Sequence, residues 1–109
     1  MLLIADRPNL VGRACRRLLA GGVRAVAEAA TRGAAAIVIE ECFTDMISPA
    51  AFAALNAPVL GGLIEAIRAA GMKSIYYYCG DPAGKWDAIG DLGADAVAFE
   101  ESKLSLIHI

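Results

Sequence analysis

Carboxylates and thiols recur where apolar runs stop: Glu40-Glu41-Cys42, Cys79-Gly80-Asp81 and Glu100-Glu101. As a thiolate, Cys79 could act as a nucleophile or a zinc ligand. The competing reading is a small buried hydrophobe. A carboxylate at a strand end serves as proton donor, proton acceptor or ligand, or is simply a solvated charge. Side chains alternate along a strand, so at most one of Glu40 and Glu41 faces a given side, and the same holds for Glu100 and Glu101. Glu40 and Glu100 share a register and are expected to converge with Cys79 at one open end. Tyr77 shares the side of Cys79, whereas Tyr76 and Tyr78 share the other. Asp81-Pro82 also reads as an ordinary turn start. Gly80 to Lys85 imitates a phosphate loop but is one residue short. Trp86 stands where Ser or Thr is required, which excludes a nucleotide P-loop. Backbone N–H groups at the helix start that follows could still hold a carboxylate.

These groups need elements to position them. Pro8-Asn9 opens a helix over residues 9–32, with Leu10, Val11, Ala14, Cys15, Leu18, Leu19, Val23 and Val26 in one apolar stripe. Cys15 is expected in the core. Arg13, Arg16, Arg17, Arg24 and Glu28 fall mostly off the stripe and read as a solvated face. Gly21-Gly22 suggests a bend. Residues 35–39 form an apolar run without alternation, which suits a strand covered on both faces. Ser48-Pro49 caps the next helix, and Pro58 predicts a kink or break at Ala57. Glu65 and Arg68 can pair on its outside, and Gly71 stops it. A strand over residues 74–78, a short helix over 85–92 with Trp86 packed under the loop, and a strand over 96–99 follow.

At 109 residues the chain makes one small domain, and a net charge of −2 with mixed signs argues against a nucleic-acid surface or a polybasic membrane patch. Residues 46–64 carry no charge, but two prolines, Asn56, Ser48 and a glycine pair interrupt them, so a buried helix pair is expected rather than a membrane span. The N-terminal apolar run is too short for a signal peptide, and a cytoplasmic location is expected. Three cysteines, odd in number and widely spaced, encode neither a disulfide framework nor a C-x-x-C zinc site.

The order αβαβαβ with short connections predicts a parallel sheet with crossover helices. Residues 33–41, GAAAIVIEE, echo residues 93–101, GADAVAFEE. Repeated units of this kind build an eightfold barrel, which needs about 250 residues. The expected fold is therefore a partial (β/α)8 TIM barrel with about three parallel strands. Open sheet edges in such a piece predict self-association. Residues 104–109, LSLIHI, continue no pattern and read as the translation of a sequencing-library adapter. Residues 1–103 are thus expected to be a barrel fragment and 104–109 a non-native tail, leaving His108, the only histidine, outside any site.

From Asp6 to Lys103 the chain resembles an interior stretch of the uroporphyrinogen decarboxylase superfamily. The resemblance rests on Asp6-Arg7-Pro8-Asn9-Leu10-Val11, Gly33-Ala34-Ala35-Ala36, Ser48-Pro49, Pro58, Ala70-Gly71, Cys79-Gly80 and Gly93-Ala94-Asp95, in that order. It implies an (α/β)8 barrel enzyme with its site at the strand C-termini. Decarboxylases of this superfamily remove acetate carboxyls from a tetrapyrrole without a cofactor. The methyltransferase branch moves methyl groups between a corrinoid protein and a thiol, using zinc held by a His-x-Cys pair and a later Cys. Here Tyr77-Tyr78-Cys79 stands where His-x-Cys would, so Cys79 is the metal candidate for that branch alone. Cys42 stands where the decarboxylases have a substrate-contacting serine. Glu40 and Glu100 are the catalytic candidates, and Cys42, Tyr77, Gly80 and Asp81 the substrate-binding ones. The partner expected is a small molecule, with no nucleic acid and no membrane. A corrinoid protein goes with the second branch, and a homodimer is an expectation for the full-length protein. A free-standing, non-catalytic α/β ligand-binding module is the alternative outside enzymology.

Overall fold

The computed structural model describes residues 8–41 and 47–99. Six elements follow one another: α1 (Pro8–Thr31), β1 (Ala36–Glu41), α2 (Pro49–Ala69), β2 (Lys73–Tyr78), α3 (Trp86–Gly90) and β3 (Ala96–Phe99). The strands form one parallel sheet in the order β1-β2-β3, with Glu40 level with Tyr77 and Tyr77 level with Ala98. Parallel neighbours need long crossovers, which α2 and the α3 segment supply. The α/β class and the three parallel strands are as the sequence predicts. Cys42, Glu100 and residues 104–109 lie outside the described residues.

Helix α2 opens as expected: the Ser48 hydroxyl accepts the Ala51 N–H at 3.1 Å, with Pro49 in the first turn. Of the kink or break expected at Ala57, no break occurs, and the expected helix pair is one helix of 21 residues. Ala57 keeps α geometry (φ −59°, ψ −42°), and residues Phe52–Asn56 widen into a π turn in which Ala57 N–H donates to Phe52 O. Proline lacks an N–H and its ring crowds the carbonyl four residues back. The widened turn relieves that crowding without ending the helix. At the far end Gly71 takes φ +82°, and the Gly71 and Met72 N–H groups return to Arg68 O and Ile67 O. That is a two-bond glycine cap, and Gly33 closes α1 in the same way.

Helices α1 and α2 meet through glycines. A Cβ at Gly22 would lie 2.5 Å from Leu63 Cδ2, and one at Gly62 would lie 3.0 Å from Leu19 Cδ1. The Gly21-Gly22 pair therefore admits a neighbouring leucine within an unbroken helical span, where the sequence suggests a bend. Both helices lie on one side of the sheet. Phe52, Leu60, Ile64, Tyr76, Tyr78, Ile89 and Leu92 form the main core, and Val26, Ile67 and Met72 a second cluster.

Expected burial is corrected in four places. β1 is covered on one face only, with Val38 57% exposed on the other. On the α1 stripe only Val26 is fully buried, and Leu18 is 72% exposed. Cys15 is half-buried in a crevice with Leu18, Glu41, Leu55, Asn56 and Val59 rather than in the core. Trp86 is not tucked under the loop: it is exposed and packs against the Phe99 ring at 4.9 Å between centroids. Each correction has the same cause. The three described units supply one layer of helices, which covers one side of a sheet and one side of each helix.

The N-terminal ends of the strands are tied together. Ser74 N–H donates to Asp95 Oδ2 at 2.8 Å and Asp95 N–H donates to Ser74 Oγ at 3.2 Å. Arg68 pairs with Glu65 at 2.7 Å, as the sequence predicts, and also donates to Gly93 O.

Candidate functional site

The strand predicted to stop at residue 39 runs on through Glu40 and Glu41, so the two carboxylates fall on opposite faces. Glu40 is exposed on the uncovered face, in the same row as half-buried Tyr77. Cys79 continues the ladder past β2, its N–H donating to Glu41 O at 3.1 Å. Its thiol lies 3.9 Å from Glu40 Oε1. Glu40, Tyr77 and Cys79 thus gather at the carboxyl end of the sheet, on one side. Glu100, the third member of the expected cluster, and Cys42 fall outside the described residues.

Glu41 turns under the sheet and is engaged from two elements. The Tyr76 hydroxyl donates to its Oε1 at 2.7 Å and Asn56 Nδ2 donates to its Oε2 at 3.1 Å. Burial pushes the Tyr76 phenol far above its ordinary range, helped by its hydrogen bond to Glu41 and that carboxylate's charge. Tyr76 therefore remains a donor. The parity of the strands could have assigned Glu41 to the side of Tyr76. Nothing in the sequence flagged Asn56, which reaches Glu41 from the last position of the π turn.

The loop after β2 is built on Lys85, which sequence reasoning set aside with the false phosphate loop. Lys85 is 3% exposed, and its Nζ donates to the Tyr78 hydroxyl at 2.8 Å. The ammonium also lies 5.5 Å from the Tyr78 ring centre and 6.0 Å from that of Phe52, within cation–π range. Tyr78 in turn donates to Asp81 O at 3.3 Å. Exposed Asp81 accepts the Ala83 N–H at 3.0 Å, a side-chain turn that fixes the bend after half-buried Gly80.

Zinc is the metal that the sequence resemblance allows. The Glu40 carboxylate lies 3.9 Å from the Cys79 thiol. Among the described residues no group of three His, Cys, Asp or Glu side chains could hold a metal ion. The described rim therefore does not by itself make a zinc site, which normally takes at least three protein ligands.

Fold and rim define a parallel β/α protein whose polar side chains gather beyond the carboxyl ends of its strands, where barrels of this construction carry their sites. The family model for uroporphyrinogen decarboxylase (URO-D) matches residues 1–105, and the chain belongs to that family. The family fold is a TIM barrel, with which three parallel strands and their crossover helices are consistent as a part. Comparisons with curated proteins and with solved structures find no match.

Proposed function

We propose that this chain belongs to a decarboxylase-like lyase acting on a tetrapyrrole-like or other carboxylated small molecule. In that reaction the bond between carbon and carboxylate breaks, carbon dioxide leaves, and a proton takes its place on carbon. Glu40 supplies that proton. Tyr77, Gly80, Asp81 and Cys42 belong to the substrate wall, and Glu100 is a second catalytic candidate. The observation that carries this reading is the exposed Glu40 carboxylate beside the Cys79 thiol on the uncovered face. The reading needs no cofactor, nucleic acid or membrane. It places the protein in the cytoplasm, with a homodimer as its full-length form. The test is carbon dioxide release from uroporphyrinogen and simpler carboxylated pyrroles by protein carrying the whole barrel. Glu40→Gln should lower the rate about a hundredfold, and an unimpaired variant would overturn the assignment.

A second reading, methyl transfer with zinc and a corrinoid protein partner, is favoured by one observation: the Cys79 thiol is only half-buried on the same face. Zinc content with and without Cys79→Ser separates the two. Stoichiometric zinc lost in the variant supports methyl transfer, and protein free of zinc after zinc-replete expression removes it.

A further inference from the structure

Two features have no role in the reading above: the π turn in α2 and the carboxylate of Glu41. They meet at one point. A π turn adds a residue to the helical cycle and recurs at functional sites. Here it ends at Asn56, whose amide donates to Glu41 Oε2 at 3.1 Å. The other oxygen accepts the Tyr76 hydroxyl at 2.7 Å. Glu41 is thereby held by one group from α2 and one from β2. On the opposite face of β1, the preceding residue presents its own carboxylate 3.9 Å from the Cys79 thiol.

We propose that Asn56 and Tyr76 are positioning residues that, through Glu41, fix the end of β1 and so set Glu40 against Cys79. The proposal rests on the reading of Glu40 as the reacting carboxylate. The geometry argues for it on three counts. Glu40 is exposed and, among the described residues, its side chain has only the long 3.9 Å contact with the Cys79 thiol, so its placement depends on the backbone of β1. Its neighbour Glu41 supplies that constraint with both oxygens, each bonded to a different element. Charge-assisted bonds of this kind are the stronger class. Cys79 shares the same anchor, because its N–H donates to Glu41 O. Loosening Glu41 therefore loosens the strand end that holds Glu40 and Cys79 against each other.

The test reads the pair directly rather than turnover. The full chain is treated with iodoacetamide and the rate at Cys79 is followed by peptide mass spectrometry, which separates it from Cys15 and Cys42. A carboxylate beside a thiol opposes formation of the thiolate, so Glu40→Gln should speed alkylation roughly threefold in the otherwise unaltered chain. In the Tyr76→Phe or Asn56→Ala background that acceleration should fall to near unity. A merely structural role for Asn56 and Tyr76 would change the absolute rate and the stability but leave the ratio intact. An unchanged ratio in both backgrounds overturns the proposal, as does the absence of any acceleration in the starting chain. If the ratio responds while Glu40→Gln leaves decarboxylation untouched, the positioning network stands and the catalytic reading of Glu40 falls.

Discussion

The Lys85 ammonium sits 2.8 Å from the Tyr78 hydroxyl in a place almost closed to water. Truncating Lys85 removes its bond to Tyr78 and opens a void. Lys85→Ala should therefore destabilise the chain by about 3 kcal/mol. Lys85→Met, which keeps most of the volume, should cost less. Urea midpoints of the two variants check the order, and equal midpoints would remove Lys85 as the anchor of the loop.

Gly84 and Gly22 should respond differently to alanine. Gly84 has φ +77°, and a Cβ there would lie 2.9 Å from the Pro49 ring. The backbone term alone is about 1 kcal/mol, and the rigid ring cannot swing away. A total near 2 kcal/mol is expected. At Gly22 the obstructing atom is the tip of Leu63, which can move, while alanine gains up to about 1 kcal/mol of helix propensity. Gly22→Ala should be close to neutral by thermal denaturation.

Asp95 gives the acid side of the stability profile. The Ser74 N–H holds its carboxyl below the ordinary 3.8, with loss of solvent acting the other way and the charges of Lys73 and Arg68 assisting. The folded state thus binds this proton less readily than the unfolded one. The stabilisation is complete above pH 3.8 and disappears as pH falls through the folded value. Asp95→Ala should flatten that acid limb and leave the profile near neutrality parallel to that of the unaltered chain, as followed by urea midpoints against pH.

Tyr76 gives the alkaline side. Its folded phenol titrates above the ordinary 10.0, chiefly because it is buried and then because it donates to Glu41. The stabilisation is complete below pH 10 and lost as pH rises beyond it, where the unfolded chain ionises first. Tyr76→Phe should cost about 2 kcal/mol near neutrality, since a bond to a carboxylate is removed. It should also lose less stability than the unaltered chain on the alkaline side. Far-ultraviolet circular dichroism during an alkaline titration reads both effects.

The sequence was most legible where local chemistry decides. Ser48-Pro49 capped a helix, Gly71 ended one, and residues 96–99 formed β3 as expected. Alternation assigned Tyr77 to the side of Cys79, and the structure puts their row beside Glu40. What could not be read depended on tertiary partners. Pro58 signals a break when taken alone; only the π turn before it keeps the helix whole. Lys85 looks like a surface charge until Tyr78 and Phe52 close over it. Leu18 and Trp86 look like core residues, yet a single layer of helices leaves them at the surface. The assignments of Glu100 and Cys42 remain expectations of the sequence, since both fall outside the described residues.

The register of β1 against β2 has a consequence for tolerance to indels. Because neighbouring positions alternate between the two faces, deleting one residue from the connection at Ala34 or Ala35 would invite β1 to slide by a single step. Glu41 would then surface beside the thiol, leaving the hydroxyl of Tyr76, and Glu40 would be driven beneath the sheet. The same two amino acids would remain, with their environments exchanged. Frame-preserving length variants should therefore be rare in that short connection.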